Sequence, residues 1–239
     1  MQDSWTETEK LTAIGTMAAG IAHELLNPLM GILNFTQYCL EKTAADDPRF
    51  SVLQDIERET KRCAGIVQNL TTFSRIEKRS EEEYHKQSLP EIIERLVQLL
   101  SYRIEKEGVR FTWHVAEDIP EVWIRVDGIH QVLLNLVTNA LDAVAVSAKK
   151  EISIEGYRRG NFIEVTITDS GKGISPANLS RIFDPFFTTK PVGQGTGMGL
   201  TVSRNIILEH GGDITCRSEP GGGTVFEIRL PLAAKGGPG

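Results

Sequence analysis

Apolar residues in the first third of the chain recur at alternating steps of three and four. Leu11, Ile14, Ala18, Ile21, Leu25, Pro28, Ile32, Phe35 and Cys39 make an a/d seam. A second, weaker seam runs through Val52, Ile56, Cys63, Ile66, Leu70 and Phe73, interrupted by Glu59. Ala44-Ala45-Asp46-Asp47-Pro48 lies between them and reads as a turn. The pattern predicts an antiparallel helical hairpin. Two helices bury little by themselves, so pairing of two hairpins into a dimeric four-helix bundle would cover the seams. A monomeric coiled-coil hairpin is the alternative, and it leaves a larger apolar patch exposed.

From Gln87 onward the periodicity changes. Helices are expected over 89–107, 128–147 and 199–209, with a short one over 175–182 that has Ser175 at its cap. Alternating segments over 109–115, 122–126, 151–157, 162–168, 213–218 and 223–230 read as strands, two pairs of them joined by glycine-containing turns. Mixed helices and β-hairpins indicate an α+β two-layer sandwich rather than a doubly wound parallel sheet. The expected division is 1–85 all-α, 86–232 α+β, and a disordered tail over 233–239 ending in KGGPG.

Composition narrows the function. In 239 residues, 40% are hydrophobic and 24% charged, an ordinary composition for a chain that buries a core. The net charge is −6: residues 1–85 carry 9 basic and 14 acidic side chains, and the remainder 17 and 18. Neither part has a basic footprint for nucleic acid or an anionic membrane. No apolar run approaches the ~20 residues that span a bilayer, and the polar N-terminus is unlike a signal peptide. Three cysteines, Cys39, Cys63 and Cys216, lack metal spacing and fit a reducing compartment. The expectation is a cytoplasmic protein, or the cytosolic part of a longer, membrane-bound one.

Candidate chemistry starts at His23. With Ile21 at d and Leu25 at a, His23 falls at the outward f position and Asn27 at c, on one stripe. The neighbouring Glu24 can fix the imidazole tautomer and raise the nucleophilicity of the other nitrogen. Pro28 follows inside the seam, where proline removes a backbone hydrogen bond at a cost of ~3 kcal/mol. Asn135 and Asn139, four apart, project from one helix face, with Val132, Leu133, Leu136, Ala140 and Val144 on the other. Amide oxygens suit Mg²⁺. Asp169 ends a strand before Gly171 and Gly173; its carboxylate can accept from the exocyclic amine of adenine, where guanine presents an acceptor. Gly193, Gly195, Gly197 and Gly199 alternate and the last opens a helix, an arrangement whose N–H groups can cradle phosphates. Such a glycine-rich loop also suits a flexible lid, and within 188–198 Lys190 is the one cation, able to contact bound phosphate.

Ala22-His23-Glu24-Leu25-Leu26-Asn27-Pro28 resembles the phospho-acceptor box of two-component sensor histidine kinases. Asn135–Ala140 is similar to that family's N box, Asp169-Ser170-Gly171-Lys172-Gly173 to its first glycine box, Phe183-Asp184-Pro185-Phe186-Phe187 to its F box, and Gly195-Thr196-Gly197-Met198-Gly199-Leu200 to its second glycine box. Gly223-Thr224 resembles the third. The resemblance implies a dimerisation and histidine-phosphotransfer domain followed by a Bergerat-type ATP-binding domain. It further implies ATP and Mg²⁺ as cofactors, with Asn139 the direct metal ligand and Thr224 lining the adenine pocket. Implied too are a homodimer through the helical bundle, autophosphorylation of His23, a response regulator receiver domain as partner, and dephosphorylation of that partner through Asn27. Asp142 and Ala143 depart from the pattern, since many family members carry a base and an aromatic there.

Overall fold

The computed structural model describes residues 7–74, 84–191 and 195–232, with side chains in the first span at 25–61, Cys63, Ala64 and Val67. Two compact units emerge: Met1–Glu81 with Thr188–Met198, and Glu82–Phe187 with Gly199–Gly239.

The first unit contains helices α1 (Glu7–Lys42) and α2 (Pro48–Ser74). Helix α1 runs through Pro28. Asp47 starts α2 by accepting the Arg49 N–H at 2.8 Å, and it also holds the Arg49 guanidinium. Hydrogen bonds from the Arg49 side chain and backbone bring the Asp47 carboxyl down to about 2. The contact between the helices differs from the expected seam. Leu26, Leu29, Leu33 and Leu40 are half-buried and Thr36 is buried, with Leu53 half-buried and Thr60, Ala64 and Val67 buried on α2. Gln37 Nε2 crosses to Glu57 Oε1 at 3.0 Å, and Lys61 adds an ion pair to the same oxygen at 2.6 Å. In heptad terms α1 uses its b and e positions for its own partner. The a/d residues Leu25, Pro28, Ile32, Phe35 and Cys39, with Val52, Ile56 and Cys63 of α2, stay exposed. Each helix therefore carries a second apolar stripe. The seam side chains at Leu11–Ile21 and at Ile66, Leu70 and Phe73 lie outside the described residues.

The second unit is a helix-on-sheet sandwich. Five strands lie in the order β2 (Arg110–Val115), β4 (Glu151–Arg159), β5 (Phe162–Asp169), β7 (Gly223–Pro231), β6 (Asp213–Glu219). Only the β2–β4 pair is parallel. Alternation fixes the inner face: Ile152, Ile154, Ile163, Val165, Ile167, Phe226, Ile228 and Leu230 are buried. Helices α3 (Leu89–Lys106), α4 (Val126–Val144) and α6 (Gly199–Glu209) supply the facing apolar stripes, including Ile93, Leu96, Leu133, Leu136, Leu141, Ile206 and Ile207. A two-stranded antiparallel sheet pairs β1 (His85–Gln87) with β3 (Val122–Ile124), and β1 was not expected from its polar sequence. The short helix α5 is confined to Pro176–Leu179, and Ser175 makes no side-chain cap; its carbonyl instead receives the N–H groups of Asn178 and Leu179. The tail 233–239 lies outside the described residues.

Candidate active site

Helix α4 organises the site. Its apolar face is buried against the sheet, so Asn135 and Asn139 are held half-buried on the opposite stripe. Asn135 Nδ2 donates to Ser203 Oγ on α6 at 3.0 Å. Its Oδ1 lies so close to Gly199 that a Cβ there would be 2.3 Å away. Asn135 thereby sets the first turn of α6 against α4. Leu200 is half-buried in that turn, packed against the core. At the other end of α4, a Cβ on Gly171 would meet Ala143 Cβ at 2.6 Å. The stretch from Asn135 to Ala143 spans roughly 12 Å along the helix axis, with Asn139 midway. That length suits an extended ligand of nucleotide size.

The Gly171 end is built on the β5–β7 register, where Asp169 pairs with Thr224. Asp169 is buried and its Oδ1 accepts the Gly171 N–H at 2.7 Å. Burial pushes its pKa up, opposed by hydrogen bonds from Gly171 and from the Thr224 backbone and hydroxyl. Two glycines permit this closeness. Gly173 has φ of +70°, and a Cβ would fall 1.9 Å from the Glu219 carbonyl oxygen; Gly223 has φ of +83°, and a Cβ would fall 2.0 Å from the Asp169 carbonyl oxygen.

Ser218 was not singled out from sequence, yet it ties the two loops together. Its Oγ accepts the Ile174 N–H at 2.8 Å, donates to the Gly223 carbonyl at 2.6 Å, and lies 3.1 Å from Thr224 Oγ1. The signal available was a hydroxyl at an inward-facing strand position, in phase with the buried Ile214. Cys216 occupies the same face. Burial, then the charge of Asp169, pushes its thiol up to about 12, so it stays protonated.

The glycine-rich segment belongs to the first unit and has its own internal order. Lys190 N–H donates to Thr188 Oγ1 at 3.1 Å, and a Cβ on Gly195 would crowd that same oxygen at 2.6 Å. Met198 N–H donates to Thr196 Oγ1 at 3.3 Å, Gly197 is left-handed with φ of +66°, and Met198 is buried. Gly193 lies outside the described residues. On α1, His23 and Asn27 sit one turn apart and Asn27 is exposed; the side chains of His23 and Glu24 lie outside the described residues.

Among the described residues no group of three or more His, Cys, Asp or Glu side chains could hold a metal ion. Asn139 offers a single neutral oxygen. That fits a Mg²⁺ ion that arrives with phosphate ligands and keeps several waters, not a resident one. All three cysteines are free, and no described helix is long and apolar enough to cross a membrane.

Two protein families match separate parts of the chain. Residues 13–79 match the His Kinase A (phospho-acceptor) domain, and 124–234 match the Histidine kinase-, DNA gyrase B-, and HSP90-like ATPase. The sensor histidine kinase ZraS of Salmonella typhimurium is 36% identical over 98% of this chain and 49% of its own length, so the chain spans about half of that relative. The solved catalytic domain of the histidine kinase ThkA is 34% identical, with a TM-score of 0.56 over 63% of this chain and 96% of that domain. ThkA in complex with the response regulator protein TrrA is 28% identical, with a TM-score of 0.65 over 95% of this chain and 64% of that one.

Proposed function

Since the chain belongs to the two-component sensor histidine kinase family, we propose that it is the kinase core itself: it binds Mg·ATP in the second unit and transfers the γ-phosphoryl group to His23. The observation that carries this reading is the buried Asp169, held by Gly171 and Thr224 at the end of a helix that presents Asn139. A carboxylate in that place accepts from the adenine amine and faces guanine with a second acceptor. The first turn of α6 turns backbone N–H groups toward the phosphates, and Asn135 holds that turn in place. Mg²⁺, when bound through Asn139, neutralises charge on the phosphate oxygens. We assign Lys190, Gly195, Thr196, Gly197 and Met198 to phosphate binding on their glycine-rich pattern and single cation.

In the transfer step a ring nitrogen of His23 forms a bond to the γ-phosphorus as the bond to the bridging oxygen of ADP breaks. Glu24 orients the imidazole and takes its proton. The rest is positioning and charge stabilisation. The phosphohistidine then donates its phosphoryl group to an aspartate of a separate response regulator receiver domain, and in a separate reaction Asn27 orients a water that hydrolyses that phosphoaspartate, restoring the carboxylate and releasing inorganic phosphate. The exposed a/d stripes of α1 and α2 are the surface through which a homodimer forms, in 1–85. We place the protein in the cytoplasm, either free or as part of a longer membrane-bound sensor. The test is incubation of wild type and His23→Gln with γ-labelled ATP. The variant retains ATP binding and takes up no label; label persisting in the variant would reassign the acceptor.

A further inference from the structure

We infer that Arg103 is a positioning residue for nucleotide binding: it holds the Asp142 carboxylate and offsets negative charge on the helix face that carries Asn139. The inference rests on the ATP-site reading above and concerns residues outside its contact set.

Asp142 lies three residues after Asn139 and seven after Asn135, on the same stripe of α4. Its neighbour Ala143 packs directly against Gly171, beside Asp169. The carboxylate therefore lies on the stretch of α4 between Asn135 and Ala143, along which the proposed nucleotide extends. A bare anion there would repel a polyphosphate, and the partly buried setting would screen the repulsion poorly.

The structure supplies the compensation from a different helix. Arg103 Nη2 on α3 donates to Asp142 Oδ1 at 2.5 Å, while its Nε donates to Glu107 Oε1 at 2.7 Å. The guanidinium is gripped at two sites, so its orientation is fixed. The Glu107 backbone carbonyl accepts from Lys150 Nζ at 3.1 Å, while its buried Oε2 has no hydrogen-bond partner, so the Glu107 carboxylate is held by Arg103 through Oε1. Burial opposes the charge on Arg103, but the Glu107 and Asp142 hydrogen bonds outweigh it and push its pKa above the ordinary arginine value. Arg103 and Asp142 are each about one-third exposed, so the pair can lie beside a ligand while solvent screens part of its attraction.

The alternative is that the pair only staples α3 to α4. The two accounts differ in how the nucleotide's charge enters. Arg103→Gln, Asp142→Asn and the double variant are titrated calorimetrically with Mg·ATP, ADP and adenosine, at low and at high salt. We expect Arg103→Gln to weaken ATP roughly ten-fold at low salt, ADP less, and adenosine by under two-fold. Asp142→Asn alone keeps ATP affinity, because the charge that needs holding is gone. The double variant returns to within about three-fold of wild type. Equal weakening of adenosine and ATP would overturn the proposal. So would a double variant no better than Arg103→Gln, or loss of ATP affinity in Asp142→Asn. Wild type that binds none of the three ligands would instead overturn the ATP-site reading itself.

Discussion

Asp169→Asn tests base recognition with almost no change in volume. In the wild type the side chain is 5% exposed, and it accepts the Gly171 N–H together with both Thr224 donors. The substitution leaves one carbonyl oxygen for those donors and turns an N–H₂ group toward the base. An adenine amine then meets a donor in place of a charged acceptor. The lost charge-assisted hydrogen bond is worth about 1.5–3 kcal/mol, and the buried unsatisfied donor costs about 1–3 kcal/mol more. The expected loss in ATP affinity is therefore roughly two to four orders of magnitude. The free protein suffers much less. Burial raises the folded pKa of Asp169, so its contribution to stability is full at low pH and lost as pH rises through that value; the neutral amide avoids this penalty. Guanine, with an acceptor at the same place, gains what adenine loses. Calorimetric titration of wild type and variant with ATP and GTP, with a melting curve for each protein, reads all three effects. ATP affinity retained within three-fold in the variant, or wild type that binds GTP as tightly as ATP, would refute the base-reading role.

Gly173→Ala combines a left-handed φ of +70° with a Cβ 1.9 Å from a backbone oxygen, whereas Gly160→Ala meets nothing within 4 Å at φ of +61°. Melting curves should show Gly173→Ala losing at least about 2 kcal/mol and Gly160→Ala about 1 kcal/mol, with ATP binding impaired only in the first. Asn27→Ala should keep autophosphorylation and transfer while dephosphorylation of the phospho-regulator slows roughly ten-fold; equal loss of all three with a lower melting temperature would give Asn27 a structural role at Pro28. His210 is buried among Tyr84, Arg125, Ile206 and Glu209, its Nε2 accepting the Arg125 N–H at 3.1 Å and its Nδ1 donating to the Ile206 carbonyl at 2.6 Å. Burial and then the Arg125 charge hold its pKa below 6.5, so stability is full above that value and is lost as pH falls through the folded value. Thermal melts between pH 7.5 and about 5 should show that slope, and His210→Gln should flatten it.

Much of this molecule is written in local pattern. The α4 stripe, the β4–β5 and β6–β7 hairpins and the glycines at 171 and 173 follow from periods of 3.6 and 2 and from the need for close backbone approach, whereas Gly223 was marked by family resemblance alone. What stayed hidden depends on partners distant in sequence. Strand β1 is three polar residues that become a strand only because Val122–Ile124 offers an edge. The a/d seam of α1 was legible as an apolar stripe, but nothing local told which of two stripes faces its own hairpin partner; the leucines at b and e decided that. The pairing of Arg103 with Asp142 joins residues 39 apart through the packing of α3 on α4. Ser218 was masked by a strand pattern in which a small hydroxyl passes for a neutral filler.

The central claim is that this chain phosphorylates its own His23 from ATP. The direct measurement is incubation of the full chain with Mg²⁺ and γ-labelled ATP, followed by acid and base treatment and peptide mapping by mass spectrometry under neutral conditions. The account predicts one acid-labile, base-stable phosphate on the peptide that contains Ala22-His23-Glu24. An acid-stable phosphate, a phosphate on another histidine, or ATP hydrolysed to ADP with no protein-bound phosphate would contradict it.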